Sequence, residues 1–328
     1  MKAAPLINTA PGLTPAPLYN ELAEGPDGGA AFWITTPDEV RIRIGVWPLQ
    51  GAKGTVLLMP GRTEYVEKYG RAAQDLRARG YATVAIDWRG QGLADRALTD
   101  EMTGYVDCYL DYQTDLEAVL AALPALELPG FDAGKPLFLL AHSMGGAIGL
   151  RSLHGKHPFR AAAFSAPMWG ILLADWQLPL ANLVGRITRG TPLDRRRVPG
   201  SARETYTLDV PFEDNLLTRD RGMWDYMVRH GTAQHALTLG GPAVRWVATA
   251  LRETARLRAM APPDLPCLTY LGTSERIVAT RPVYDLMGNW PGGTLVEVPG
   301  AEHEIMMELP EVRQDFFDRI TGLFDANC

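Results

Sequence analysis

In "VRIRIGVWPL", Val40, Ile42, Ile44 and Val46 fall on one side and Arg41 and Arg43 on the other. That period-two alternation predicts a half-buried strand, and "AFWITTP" just before it predicts a hairpin partner. From Gly54 the pattern changes. "GTVLLMPG" is nearly all apolar, as in a strand buried on both faces. A helical stretch follows, "EYVEKYGRAAQDLRARG", closed by Gly80. Then come a strand "YATVAIDWRG", a helix "YVDCYLDYQTDLEAVLAAL" and a strand "PLFLLAHS". A helix from Met144 and the strand "AAAFSAP" continue the series until Pro167. It restarts at Cys267 with the strand "CLTYLGT", a helix around "RPVYDLMGNW", the strand "TLVEVPG" and a last helix "PEVRQDFFDRITGLF".

Strands alternating with helices predict an α/β fold, with a mostly parallel central sheet flanked by helices. Residues 168–264 contain no buried-strand pattern and read as a mainly helical cap inserted before the last strands. The core is then 29–167 and 265–328. Residues 1–28, rich in Pro, Ala and Gly, read as an irregular lead-in.

Composition narrows the function only by exclusion. The 328 residues carry a formal charge of -6, with 46% hydrophobic and 21% charged residues, which suits a globular protein and gives no attraction to nucleic acid. Three distant cysteines, Cys108, Cys267 and Cys328, fit neither a disulfide framework nor a zinc site. "MKAAPLINTAPGLTPAP" lacks the apolar stretch of a signal peptide, and no apolar run has the length of a membrane span. The expectation is a cytoplasmic protein, with peripheral contact at the inner membrane face left open.

The chemistry enters at "PLFLLAHSMGGAIGL". Ser143 sits where a parallel strand turns into a helix, the end at which ligands gather in such sheets. A sharp strand–helix turn pushes its side chain outward and needs small neighbours, here Ala141, Gly145 and Gly146. The helix N-terminus aims N–H groups at any negative charge that develops there. A serine nucleophile also needs a base. His142 is adjacent to Ser143 and should point away from it. His154 and His157 lie at the far end of the next helix, and His230 and His235 fall in the insertion. His303, in the loop after the last strand, is the natural base.

"AHSMGG" resembles the nucleophile elbow of α/β hydrolases, usually GHSMGG in the branch of monoacylglycerol lipases and bacterial lysophospholipases, with Ala141 at the first glycine. The resemblance runs from about Gly54 to the C-terminus. It implies an acid after the preceding strand, where "GTSERIV" offers Glu275 in place of the usual Asp. Glu302 and Glu304 flank His303 but should point elsewhere. The order Ser143, Glu275, His303 is that of the fold. "PGRTEYVEKYG" resembles the family's His-Gly-x-x-Glu loop with Pro60 for His, and implies oxyanion donors at the Arg62 and Met144 N–H groups, beside Gly61. "DWRGQGLADR" resembles a structural Asp-x-Arg-Gly-x-Gly turn built on Asp87 and Arg89.

"FEDNLLTRDRGMWDYM" and "LGGPAVRWVATAL" resemble cap segments of bacterial lysophospholipases. On "RWVATALRETARL", Trp246, Val247, Ala250, Leu251, Thr254 and Leu257 share a face, so Trp246 is a candidate to shelter an acyl chain, although such a stripe more often packs a cap on its core. Arg195, Arg196 and Arg197 read as a solvated face. The resemblance thus implies a serine hydrolase of single-acyl lipids, a lysophospholipid or monoacylglycerol, needing no metal or organic cofactor. Two alternatives remain: a short-chain carboxylesterase, thioesterase or acyltransferase, and a catalytically silent binding protein on the same fold.

Overall fold

The computed structural model describes residues 13–174 and 176–328. Nine strands form one sheet: β1 (Leu13–Ala16), β2 (Ala30–Thr35), β3 (Arg41–Trp47), β4 (Gly54–Met59), β5 (Tyr81–Asp87), β6 (Leu137–His142), β7 (Phe159–Ser165), β8 (Cys267–Gly272) and β9 (Gly293–Val298). Their order is β1-β2-β3-β5-β4-β6-β7-β8-β9. The first three strands and the β3–β5 pair are antiparallel; every pairing from β5 to β9 is parallel.

The all-apolar strands are buried on both faces because alternate residues enter two cores. Leu57 and Met59 of β4 and Leu139 and Ala141 of β6 join one core, with residues of helices Asp111–Ala122, Met144–Leu153 and Arg281–Met287. Val56, Leu58, Phe138 and Leu140 join the other, against helices Gly70–Ala78 and Pro310–Asp325. The expected hairpin is β2–β3, with Phe32 opposite Ile44 and Ile34 opposite Ile42.

Three expectations need correction. The lead-in is not wholly irregular. Leu13–Ala16 pairs antiparallel with β2, Leu13 is buried, and Asn20–Ala23 is a helical turn. Pro15 removes a donor, which an edge strand tolerates. Residues 1–12 of that segment lie outside the described residues. The helix expected from Tyr105 begins only at Asp111, whose carboxylate takes the Cys108 N–H at 3.0 Å while Tyr109 N–H goes to Thr249 Oγ1 at 2.9 Å. The stretch after β4 is a 3₁₀ turn, Val66–Tyr69, before its α-helix.

Between Ser165 and Cys267 the described residues add no strand to the sheet. They form helices Gln177–Ile187, Arg221–Ala233 and Val244–Arg258 with shorter turns. Trp246, Ala250 and Leu257 enter the first core, so the apolar stripe packs helix Val244–Arg258 onto the body of the molecule. Helix Arg221–Ala233 is capped by Asp220, which accepts the Met223 N–H at 2.9 Å. It is fastened by Tyr226, whose hydroxyl bonds the carbonyls of Ala23 and Glu67 at 2.7 and 2.9 Å.

Candidate active site

Ser143 is the residue between β6 and helix Met144–Leu153, with φ 49° and ψ −117°. A non-glycine residue in that region is strained, and the surroundings hold it there. Its N–H donates to Ser165 O, and its carbonyl accepts from Gly146 and Met168. The small neighbours are required by space. A Cβ on Gly145 would lie 2.0 Å from Met59 O, and one on Gly146 2.5 Å from Pro167 Cβ. Ala141 fits, fully buried in the first core.

Glu275 follows β8 and His303 follows β9. His303 Nδ1 lies 2.6 Å from Glu275 Oε2, and the Ile277 and Val278 N–H groups donate to Oε1 at 2.6 and 3.0 Å. Burial pushes the Glu275 carboxyl up, but the His303 ring and the two N–H groups outweigh it and hold the pKa below the usual value. Ser143 and His303 line one cavity of about 350 Å³, without a hydrogen bond between them. Such contacts are often open in unliganded enzymes. The structure therefore brings Ser143, His303 and Glu275 to one site.

Arg62 and Trp246 line the same cavity. Gly61 sits against Ser143: a Cβ there would come within 3.1 Å of Ser143 Cβ. Met144 begins the helix after Ser143. Neither the Arg62 nor the Met144 N–H donates to a partner among the described residues. The loop that carries Gly61 and Arg62 is braced without the family's histidine. Glu64 accepts from Gly61 N–H, Tyr69 OH and Lys68. Gln91 Nε2 donates to the carbonyls of Gly61 and Glu64 at 2.7 and 3.1 Å, and Pro60 O accepts from Trp88 Nε1 at 3.0 Å.

Glu304 makes no hydrogen bond to His303, in keeping with the expectation that it points elsewhere. It is buried, and Oε1 lies 2.5 Å from Lys68 Nζ. Lys68 thus joins Glu64 of one loop to Glu304 of the other. Burial alone would lower the Lys68 ammonium, but the two carboxylates raise it. His142 turns its Nδ1 to Ser165 O at 3.0 Å, and its ring lies 4.7 Å from that of His303. Burial would lower its pKa, but Glu304 and Glu64 raise it. The spacing of Glu64 and Lys68, four apart, was the available signal for this cluster; nothing local marked Glu304. Among the described residues Glu64, His142 and Glu304 are the one set with metal-ligand spacing, and Lys68 already supplies the cation there.

Asp87 is structural. It accepts from Arg43 Nε at 2.7 Å and from the Val66 and Leu93 N–H groups at 2.7 and 2.8 Å. Arg89 pairs with Asp38 and Asp115. Arg195 and Arg196 are exposed, and Arg197 pairs with Asp100 at 2.6 Å.

The family profile described as serine aminopeptidase S33 matches residues 50–310. Lysophospholipase L2 of Escherichia coli K12 is 32% identical over 306 residues, covering 87% of this chain and 86% of its own. Among solved structures, a soluble variant of monoglyceride lipase from Saccharomyces cerevisiae superposes with a TM-score of 0.68 at 22% identity, over 88% of this chain and 92% of its own. The Paleococcus ferrophilus monoacylglycerol lipase gives 0.64 at 20% identity, over 87% and 98%. At those identities the two structures speak for the fold alone. The profile and the lysophospholipase L2 match together place this chain in the serine aminopeptidase S33 family of α/β hydrolases.

Proposed function

We propose that this protein is a serine hydrolase that cleaves the ester of single-acyl lipids, a lysophospholipid or a monoacylglycerol. The observation that carries this reading is the strained Ser143 in one cavity with a His303 whose Nδ1 is held by a buried carboxylate. Ser143 Oγ attacks the ester carbonyl, and His303 Nε2 accepts its proton. Glu275 fixes the ring's tautomer and stabilises its charged form. The Arg62 and Met144 N–H groups hold the oxyanion. His303 passes the proton to the departing alcohol, then takes one from the water that attacks the acyl carbonyl and returns it to Ser143 Oγ as the acid leaves. Met168, Ile171, Leu217, Met227 and Val278 give the cavity the apolar walls an acyl chain needs. The substrate class is supported by the relative named lysophospholipase L2.

Residues 168–264 act as the cap over this cavity, Trp246 shapes its wall, and Gly61 leaves room for the substrate carbonyl beside Ser143. No described helix is long and apolar enough to cross a membrane. We place the protein in the cytoplasm and in peripheral contact with the inner membrane face. Leu180, Leu183 and Ile187 are 50, 55 and 67% exposed on helix Gln177–Ile187, with exposed Arg186 and Arg189 beside them. An apolar ridge edged by arginines suits an anionic lipid surface.

Substituting Ser143→Ala tests the assignment. Turnover of 1-oleoylglycerol and of p-nitrophenyl butyrate should fall at least 10³-fold, and fluorophosphonate labelling should vanish, with thermal unfolding unchanged. Retained hydrolysis would remove Ser143 as nucleophile. Preference for acetyl over long acyl esters in wild type would favour the short-chain esterase instead.

A further inference from the structure

Three basic side chains near the site lie between acid partners, while Arg96 spends its N–H groups on the carbonyls of Gly90, Gly92, Glu101, Ala236 and Thr238. Lys68 lies between Glu64 and Glu304, Arg43 between Glu67 and Asp87, and Arg89 between Asp38 and Asp115. Arg62 has none among the described residues. Its Nη1 donates to Gly240 O at 2.8 Å, and no other guanidinium N–H has a protein acceptor there. The Trp246 ring centroid lies 5.6 Å from its Cζ, at the outer limit for a cation over a ring. Burial pushes the guanidinium down to about 10, opposed only by Tyr112, so it stays charged at neutral pH. An enclosed cation without a counter-ion is costly, and a folded chain rarely keeps one without use for it. The side chain nevertheless retains accessible surface, and it lines the cavity that holds Ser143.

We propose that the Arg62 side chain is the anion subsite of this cavity and receives the phosphodiester of a lysophospholipid whose acyl ester lies at Ser143. This rests on the reading of Ser143 as nucleophile and deepens it, because it selects the lysophospholipid over the monoacylglycerol. A guanidinium offers paired N–H donors that match two non-bridging phosphate oxygens. The glycerol hydroxyls of a monoacylglycerol would leave the charge uncompensated. The two parts of Arg62 then serve separate ends of one substrate: the backbone N–H faces the reacting carbonyl, and the side chain takes the head group.

The test compares 1-oleoyl-lysophosphatidylglycerol with 1-oleoylglycerol in matched mixed micelles, for wild type, Arg62→Met and Arg62→Lys. The readout is the ratio of the two kcat/KM values within each protein, so a general loss of activity cancels. In Arg62→Met the ratio should fall about 10- to 100-fold, mostly through KM for the phospholipid, and Arg62→Lys should recover part of it. An equal fall for both lipids would reduce Arg62 to a packing role and overturn the proposal. Inorganic phosphate is tested as a competitor of p-nitrophenyl butyrate. If it inhibits wild type but not Arg62→Met while the lipid ratio stays unchanged, the subsite belongs to free phosphate and the head-group assignment fails. Turnover of p-nitrophenyl butyrate by Ser143→Ala separates the readings: activity there defeats the nucleophile, whatever the ratio shows.

Discussion

Glu275 accepts three hydrogen bonds, from His303 and from the N–H groups of Ile277 and Val278. Glu275→Gln keeps the size of the side chain and removes the charge that stabilises the imidazolium. We expect kcat to fall about 10³- to 10⁴-fold with KM little changed, measured on p-nitrophenyl butyrate. At this scale the serine was legible because its constraints are local: a strand, a turn and small neighbours stand together in "AHSMGG". Arg43 was half legible. Alternation put it opposite Ile42 and Ile44, but only the packing of Glu67 and Asp87 makes that opposite face a dry one. The partner of Glu304 was not legible, because Lys68 is 236 positions away and no spacing rule reaches that far.

Elements with a strong period were read correctly, and their ends were not. The strands of the parallel region announce themselves because both faces must be apolar. β1 carries no such signature; it exists because the edge of β2 offers partners to Leu13–Ala16. Likewise the residues before Asp111 have helical composition, yet bonds to Thr249 and within the turn hold them otherwise. Helix Gln177–Ile187 raises the opposite question, since it packs on helix Val244–Arg258 through Gly185, where a Cβ would meet Ala248 Cβ at 2.4 Å. Its outward leucines contribute little to that packing. Leu180→Ser with Leu183→Ser should leave the melting temperature within about 2 °C and reduce co-sedimentation with vesicles containing phosphatidylglycerol. Unchanged sedimentation would remove this helix as the contact.

On the scale of the whole molecule, the segment between β7 and β8 is anchored at several places. His230 Nε2 lies 2.6 Å from Leu22 O, the Thr218 hydroxyl donates to Met307 O at 2.6 Å, and Glu304 N–H donates to Leu217 O at 2.8 Å. Burial pushes His230 down to about 4, from about 6.5 in an unfolded chain. A folded pKa below the unfolded one means that protons favour unfolding. Its contribution is complete above pH 6.5 and is lost as pH falls toward 4, by about 3 kcal/mol in all. Urea unfolding from pH 7 to 4 should show His230→Gln losing less stability over this window than wild type, because Gln can still donate to Leu22 O. Parallel losses would mean that His230 does not titrate with unfolding.

The ammonium of Lys68 has a consequence for how this enzyme fails. It couples the loop bearing Gly61 to the loop bearing His303 through two buried carboxylates, Glu64 and Glu304. Neither loop can drift alone without stranding a charge, so proton acceptor and anion cradle keep a common register or lose it in a single event.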